Sequence, residues 1–342
     1  MVYIIAEAGS NWRMGTPQRD LEMAKRLIEA AVEAGADAVK FQTYRAETVY
    51  APNAGMVGYL DENGIGEDIH AIFRDLSMPY EMVAVLHRYC LDREIDFLST
   101  PFSPADFEAV DPFVPVHKVA SYEVSHLRLL QLAARSGKPV ILSTGASEEQ
   151  DIAWAVEVLR KEGCKDLTLM QCTLRYPTPP DSVNLRGMVR LKELFGLPVG
   201  LSDHSRHPVY APAGAVALGA TVIEKHYTLD NRLPGPDHFF AITAEELKEM
   251  VRAIRNMELM LGTGEKGVQE AEQEMYHFGR RRIQTTRAIG AGETLREGHN
   301  IAILRPGNQS QGLHPMFLAQ IEGKVATRAI SAGAGVQQGD WS

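Results

Sequence analysis

Eight apolar runs of strand length, separated by segments with helical periodicity, restrict this 342-residue chain to very few folds. The runs are Tyr3–Ala8, Ala38–Thr43, Phe97–Phe102, His117–Ser121, Val140–Gly145, Leu167–Thr173, Val199–His204 and Thr221–Thr228. Helical spacing marks Arg19–Ala34, Tyr80–Arg93, Leu127–Ser136, Glu148–Glu162, Leu185–Phe195, Val209–Leu218 and Glu245–Leu261. Ser147 with Gln150, and Thr243 with Glu246, have capping-box spacing. Gly35, Gly137, Gly163 and Gly219 stand where a left-handed helix cap is wanted. Strands alternating strictly with helices form a parallel sheet, and eight such units predict a closed (β/α)8 TIM barrel. The alternative is an open doubly wound sheet, but no Gly-x-Gly-x-x-Gly loop follows the first strand.

The pattern changes near residue 262. Residues 1–262 carry the barrel pattern, 263–281 read as a polar linker, and 282–342 read as a small β-rich domain. Within that tail Thr286-Arg-Ala-Ile-Gly-Ala-Gly292 recurs as Thr327-Arg-Ala-Ile-Ser-Ala-Gly333, which predicts two related strand-and-turn units. Hydrophobic residues make up 45% of the chain, enough for a large core. A formal charge of −9 argues against a nucleic-acid partner, although a local cluster of lysines can still bind a small anion. Cys90, Cys164 and Cys172 lack metal-type spacing and fit a reduced, cytoplasmic setting. No apolar run approaches a membrane span and no basic leader precedes the first strand, so no membrane partner is expected.

The chemistry gathers at the strand ends. They carry Glu7, Lys40 with Gln42, Thr100, Lys118 with Ser121 and Glu123, Ser143, Ser202 with His204, and Glu224 with His226. In a barrel those ends form the catalytic rim. The two histidines, one crossover apart, fall on neighbouring strands and can hold a divalent metal. Lys40 and Lys118 imply an anion between them, a phosphate or carboxylate, with Ser121, Ser143 and Ser202 as hydroxyl donors. Barrel closure puts Glu7 beside His226, as a base, a holder of metal-bound water, or a partner of a rim lysine. Glu123 can handle protons. Asp237, in the stiff loop Pro234-Gly-Pro-Asp-His238, can hold sugar hydroxyls or stabilise the turn. Glu224, next to Lys225, is expected to pair outside the barrel.

Ile4-Ile-Ala-Glu-Ala-Gly9, Ala36-Asp-Ala-Val-Lys-Phe-Gln-Thr43, Ser99-Thr-Pro-Phe-Ser103, Lys138-Pro-Val-Ile-Leu-Ser-Thr-Gly145, Tyr176-Pro-Thr-Pro179, Gly200-Leu-Ser-Asp-His204 and Ile223-Glu-Lys-His226 together resemble the sialic acid (N-acetylneuraminate) synthases. The tail, notably Arg305-Pro-Gly307, resembles their antifreeze-like (SAF) domain. The resemblance implies an enzyme that condenses phosphoenolpyruvate with an N-acylated hexosamine such as N-acetylmannosamine. The products would be a nine-carbon 2-keto acid and phosphate. It also implies a divalent metal, Mn2+ or Mg2+, on His204 and His226. Phosphoenolpyruvate would lie on Lys40, Lys118, Ser121, Ser143 and Ser202, and the sugar on Gln42, Thr100, Glu123, Tyr176 and Asp237. Glu7, Glu123 and His226 would be catalytic. The family forms a domain-swapped homodimer, which would bring Arg305 to the acyl group of the sugar. Three positions depart from the family pattern: Trp12 and Gln171 where histidine is usual, and Leu174 where a small polar residue is usual. Two other functions compete: a pyruvate aldolase with a Schiff base on Lys40 or Lys118, and a non-catalytic carbohydrate-binding homologue.

Overall fold

The computed structural model describes residues 1–56 and 68–342. The chain divides into two compact units, Met1–Gly262 and Thr263–Ser342. In the first, eight parallel strands form the wall of a nearly closed TIM-type barrel: β1 (Tyr3–Gly9), β2 (Ala38–Thr43), β3 (Asp96–Pro101), β4 (His117–Val119), β5 (Val140–Ser143), β6 (Leu167–Cys172), β7 (Val199–Asp203) and β8 (Val222–Thr228). Their order around the sheet is β3-β2-β1-β8-β7-β6-β5-β4, so β1 pairs with both β2 and β8 and only the β3–β4 seam lacks a ladder. The expected barrel is the fold, and each expected strand is present within two residues at either end.

Helices cover the wall because each carries one apolar stripe. In Leu127–Arg135 the residues Leu129, Leu130, Ala133 and Ala134 are buried, one face of a 3.6-residue period. Pro17–Ala34 ends at Gly35, whose φ of +79° suits a residue without a Cβ and whose N–H donates to the Val32 carbonyl at 3.0 Å. Thr243 and Glu246 make the expected reciprocal cap. At the other predicted cap the bonding residue is one later: the Glu148 N–H donates to Asp151, and Glu149–Lys161 follows. Pro104–Val110, the crossover helix after β3, was not foreseen, since two helical turns are too short to show a period. Its signal was Ser103, whose hydroxyl accepts from the Asp106 N–H. Among the described residues no helix is long and apolar enough to cross a membrane.

In the second unit Arg282–Thr285 and Ile301–Leu304 form an antiparallel ribbon. The two sequence repeats pair with each other. Ile289 and Ile330 exchange N–H···O bonds of 2.9 Å in both directions, and both side chains enter a small core with Ile283, Ile301 and Val336. The stretch expected as a linker contains a short helix, Gln273–Gly279.

Candidate functional site at the carboxyl ends of the strands

Thirteen of the fourteen residues to which the resemblance gives a role line one cavity of about 460 Å³ at the carboxyl ends of the barrel strands. The fourteenth, Arg305, is an exposed residue of the second unit, just after Ile301–Leu304. Strand register explains the convergence. Glu7 is level with Lys40 on β2 and with His226 on β8, which puts the three side chains in one row across neighbouring strands.

The floor of the cavity is a network of two lysines and two glutamates. Lys40 Nζ lies 2.7 Å from Glu7 and 3.7 Å from Glu224, and Lys118 Nζ lies 3.4 Å from Glu224. The Ser202 hydroxyl donates to Glu224 at 3.0 Å, Gln42 Nε2 donates to Glu7 at 3.1 Å, and Lys40 donates to the Thr100 hydroxyl at 2.9 Å. One expectation is thereby corrected: Glu224 does not pair outside the barrel but stands within ion-pair distance of both Lys40 and Lys118. The period of two along β8 is the reason: Glu224 and His226 share the inner face and Lys225 takes the outer one. There Lys225 Nζ meets Asp203 at 2.5 Å and also donates to the Ser205 carbonyl, while Asp203 accepts the Ser205 N–H at 2.8 Å.

The two carboxylates titrate in opposite directions. Burial works against ionised Glu224, but Lys118 and Lys40 prevail and hold it down at about 2. Burial pushes Glu7 up to about 7 although Lys40 pulls the other way. Lys40 is raised by Glu224 and Glu7 against the effect of burial, and burial lowers Lys118.

His204 and His226 face each other with ring centroids 5.4 Å apart. Nδ1 of His204 lies 2.9 Å from the Thr173 carbonyl, a bond that puts the proton on Nδ1 and leaves the Nε2 lone pair for a ligand. His226 Nδ1 is buried without a hydrogen-bond partner among the described residues. Burial, reinforced by His204, keeps His226 well below the usual histidine range and therefore neutral, as metal ligation requires. Among the described residues no group of three or more His, Cys, Asp or Glu side chains forms a ready metal cage. The donor set present is the two imidazoles, which can supply two of the ligands of a divalent ion. The Ser143 hydroxyl, also buried without a partner among the described residues, lines the same cavity as Lys40 and Lys118.

On the opposite side Asp237 accepts from the Ser10 N–H at 2.9 Å and from its hydroxyl at 2.8 Å. Gly9 makes that approach possible: at φ +53°, a Cβ there would lie 2.5 Å from Asp237 Oδ2 and 3.3 Å from the His226 ring. Gly9→Ala therefore combines left-handed strain with a collision, and should cost about 1–3 kcal/mol in denaturant unfolding. An unchanged midpoint would mean that the end of β1 relaxes freely. Tyr176 packs on His204 at 4.2 Å between centroids and on Phe240 at 5.0 Å. Burial, with a smaller contribution from Asp106, pushes Glu123 up to about 7.

Residue-type reasoning missed Ser10, Tyr44, Phe102, Tyr122 and Phe240, all of which line the cavity. Ser10 sits three residues after Glu7 and could have been found, whereas aromatic loop residues carry no signal of their own. Of the three departures, Leu174 lines the cavity. Trp12 is buried in the core, and Gln171 donates outward to the Val183 carbonyl.

Both units match known families. Residues 27–266 match the NeuB family and residues 280–340 the SAF domain. The chain is 40% identical to the spore coat polysaccharide biosynthesis protein SpsE of Bacillus subtilis over 98% of its own length and 92% of that protein. It is 36% identical to a pseudaminic acid synthase of Campylobacter jejuni, covering 99% of this chain and 96% of the relative. Among solved structures, the N-acetylneuraminic acid synthetase of Leptospira borgpetersenii in complex with citrate superposes with a TM-score of 0.69 at 32% identity, covering 80% of this chain and 89% of that one.

Proposed function

The chain belongs to the NeuB family of synthases, and from that premise we propose that its barrel joins phosphoenolpyruvate to an N-acylated hexosamine such as N-acetylmannosamine. A nine-carbon 2-keto acid and phosphate leave. The observation that carries the reading is the single cavity that combines two lysines, an uncommitted serine hydroxyl and a facing pair of imidazoles. Such a set answers an anion at one end and a polarisable carbonyl at the other.

In this reading phosphoenolpyruvate draws Lys40 and Lys118 from their carboxylates toward its own charges, with Ser121, Ser143 and Ser202 nearby as hydroxyl donors. Gln42, Thr100, Tyr176 and Asp237 orient the sugar so that its aldehyde faces the methylene carbon. A divalent ion, Mn2+ or Mg2+, on His204 and His226 would act as a Lewis acid toward the aldehyde oxygen. The new carbon–carbon bond leaves positive charge on the carbon bearing the phosphate ester. Glu7 accepts one proton from the water that adds there, and the tetrahedral adduct collapses to the ketone as its hydroxyl proton passes to the departing phosphate. Glu123, protonated below about pH 7, gives its proton to the oxygen of the former aldehyde.

The test is phosphate release from phosphoenolpyruvate across a panel of N-acylhexosamines, before and after chelation and manganese repletion. Release that needs both a sugar and the metal supports the synthase. Trapping of a pyruvate adduct by borohydride without metal would instead establish the Schiff-base aldolase. The role of Glu123 makes a separate prediction. As an acid it is active when protonated, so kcat/KM should fall about tenfold per pH unit above about pH 7. Glu123→Gln should lower the plateau and abolish that fall; a variant that keeps the alkaline limb would remove Glu123 from the proton path.

A further inference from the structure

The condensation starts from an aldehyde, yet an N-acylhexosamine in water is closed almost entirely into a pyranose. C1 then carries a hydroxyl and the ring oxygen in place of a carbonyl. Opening the ring needs a proton delivered to the ring oxygen while the C1 hydroxyl loses one. Four acids line the cavity: Glu7, Glu123, Glu224 and Asp237. Three of them are engaged. Glu7 is held by Lys40 at 2.7 Å and Gln42 at 3.1 Å, Glu224 by both lysines and Ser202, and Asp237 by the N–H and hydroxyl of Ser10. Of the four, Glu123 alone has neither an ion pair nor a side-chain hydrogen bond among the described residues, although it is only 8% exposed. Its backbone is fixed. Ser121–Glu123 is a single tight turn after β4, in which the Glu123 N–H donates to the Ala120 carbonyl at 3.0 Å and its carbonyl accepts from the His126 N–H at 2.9 Å. The acid whose charge Glu123 feels is Asp106, itself held by the Tyr80 and Ser103 hydroxyls at 2.8 and 2.5 Å. Burial, more than that charge, keeps a proton on Glu123 up to about pH 7. A carboxyl with both oxygens free, one of them protonated, is acid and base at once.

We propose that Glu123 opens the pyranose ring of the sugar inside the cavity, an activity that precedes the condensation and is separate from it. The inference rests on the synthase reading. One oxygen of the Glu123 carboxyl gives its proton to the ring oxygen, and the bond from C1 to that oxygen breaks. The proton of the C1 hydroxyl passes to the other carboxyl oxygen, and the electron pair it leaves behind completes the C1 carbonyl. The sugar is now an open aldehyde with a hydroxyl where the ring oxygen was. Glu123 ends protonated as it began, on the opposite oxygen, and so still holds the proton that the former aldehyde oxygen takes after the carbon–carbon bond forms. Glu7 and Glu224 are less suited to the exchange, because each already has at least one oxygen on a lysine.

The experiment follows phosphate release from N-acetylmannosamine with saturating phosphoenolpyruvate and manganese while the enzyme concentration is raised. An enzyme that only captures aldehyde formed in solution levels off at the spontaneous opening rate, which anomer-exchange NMR gives for the sugar alone. An enzyme that opens the ring keeps rising in proportion to its concentration and should pass that ceiling by about tenfold or more. Glu123→Gln, whose amide is no acid, should level off at the ceiling with KM for phosphoenolpyruvate unchanged. If that variant does not fold or is too slow to reach the ceiling, the wild-type curve decides alone. A wild-type plateau at the spontaneous rate overturns ring opening and leaves the synthase standing. A Glu123→Gln curve that passes the ceiling removes Glu123 from the step. No release with any N-acylhexosamine of the panel overturns the synthase reading, and ring opening with it.

Discussion

His226→Ala should lower phosphate release by about a thousandfold or more and remove its response to added manganese. The imidazole sits on the inner face of β8, level with Glu7, buried and neutral, with one ring nitrogen lacking a hydrogen-bond partner among the described residues. A buried nitrogen in that condition is costly to keep unless something coordinates or hydrogen-bonds it in the working state. Removing the ring leaves His204 alone, and a single imidazole holds a divalent ion far more weakly than two. The loss should therefore appear as lost turnover and as lost binding in a direct manganese titration followed by electron paramagnetic resonance. Thermal stability should fall as well, because the buried ring packs on Tyr176, His204 and Phe240, so the metal titration rather than the melting point decides the assignment. Full activity in this variant would falsify the metal assignment.

Lys40→Met should destabilise the barrel by about 3–5 kcal/mol, the cost of stranding buried charge. Lys40 is the one lysine of the network within ion-pair distance of both carboxylates, at 2.7 Å from Glu7 and 3.7 Å from Glu224. Adding Glu7→Gln to it should regain a good part of the loss, because the stranded carboxylate is removed with its partner. Strictly additive losses in urea denaturation would show that the two do not depend on each other. The pH response carries opposite signs for the two acids. Glu224, depressed to about 2 when folded, contributes stability that is present above the ordinary glutamate range and is lost as pH falls toward 2. Glu7, raised to about 7, contributes stability at low pH that is lost as pH rises from the ordinary range through 7. Glu224→Gln should accordingly flatten the acid side of the stability profile and move the neutral-side loss to lower pH, because the charge of Glu224 helps to raise Glu7.

The barrel and most of its rim were legible because both follow from periodicity. Alternating strands and helices give the wall, closure brings β1 to β8, and the last residues of each strand must then meet. Glu224 escaped the same logic although the information was there: with His226 placed inward, the residue two before it had to point inward too. Its neighbour Lys225 suggested a local pair, but adjacent residues on a strand face opposite ways and cannot pair across it. The aromatic wall of the cavity was not legible, since Tyr44, Phe73 and Phe102 come from loops and short helices whose meeting depends on tertiary packing. The charges needed tertiary structure as well. Two lysines read in isolation demand a ligand, whereas two lysines facing two glutamates form a nearly neutral floor that a ligand must reorganise before it binds.

The ion pair behind the histidines bears on whether this chemistry could be carried elsewhere. Asp203 and Lys225 are opposite each other in the β7–β8 register, each immediately before a histidine, and both lie on the far side of the sheet. They form a brace between β7 and β8 on the side of the sheet away from the two imidazoles. A protein engineer who copied only the two histidines into another scaffold would transfer the donors without their alignment. The transferable module is the pair of two-sided strand ends, Ser202-Asp-His204 and Glu224-Lys-His226, each with one face for chemistry and one for the brace.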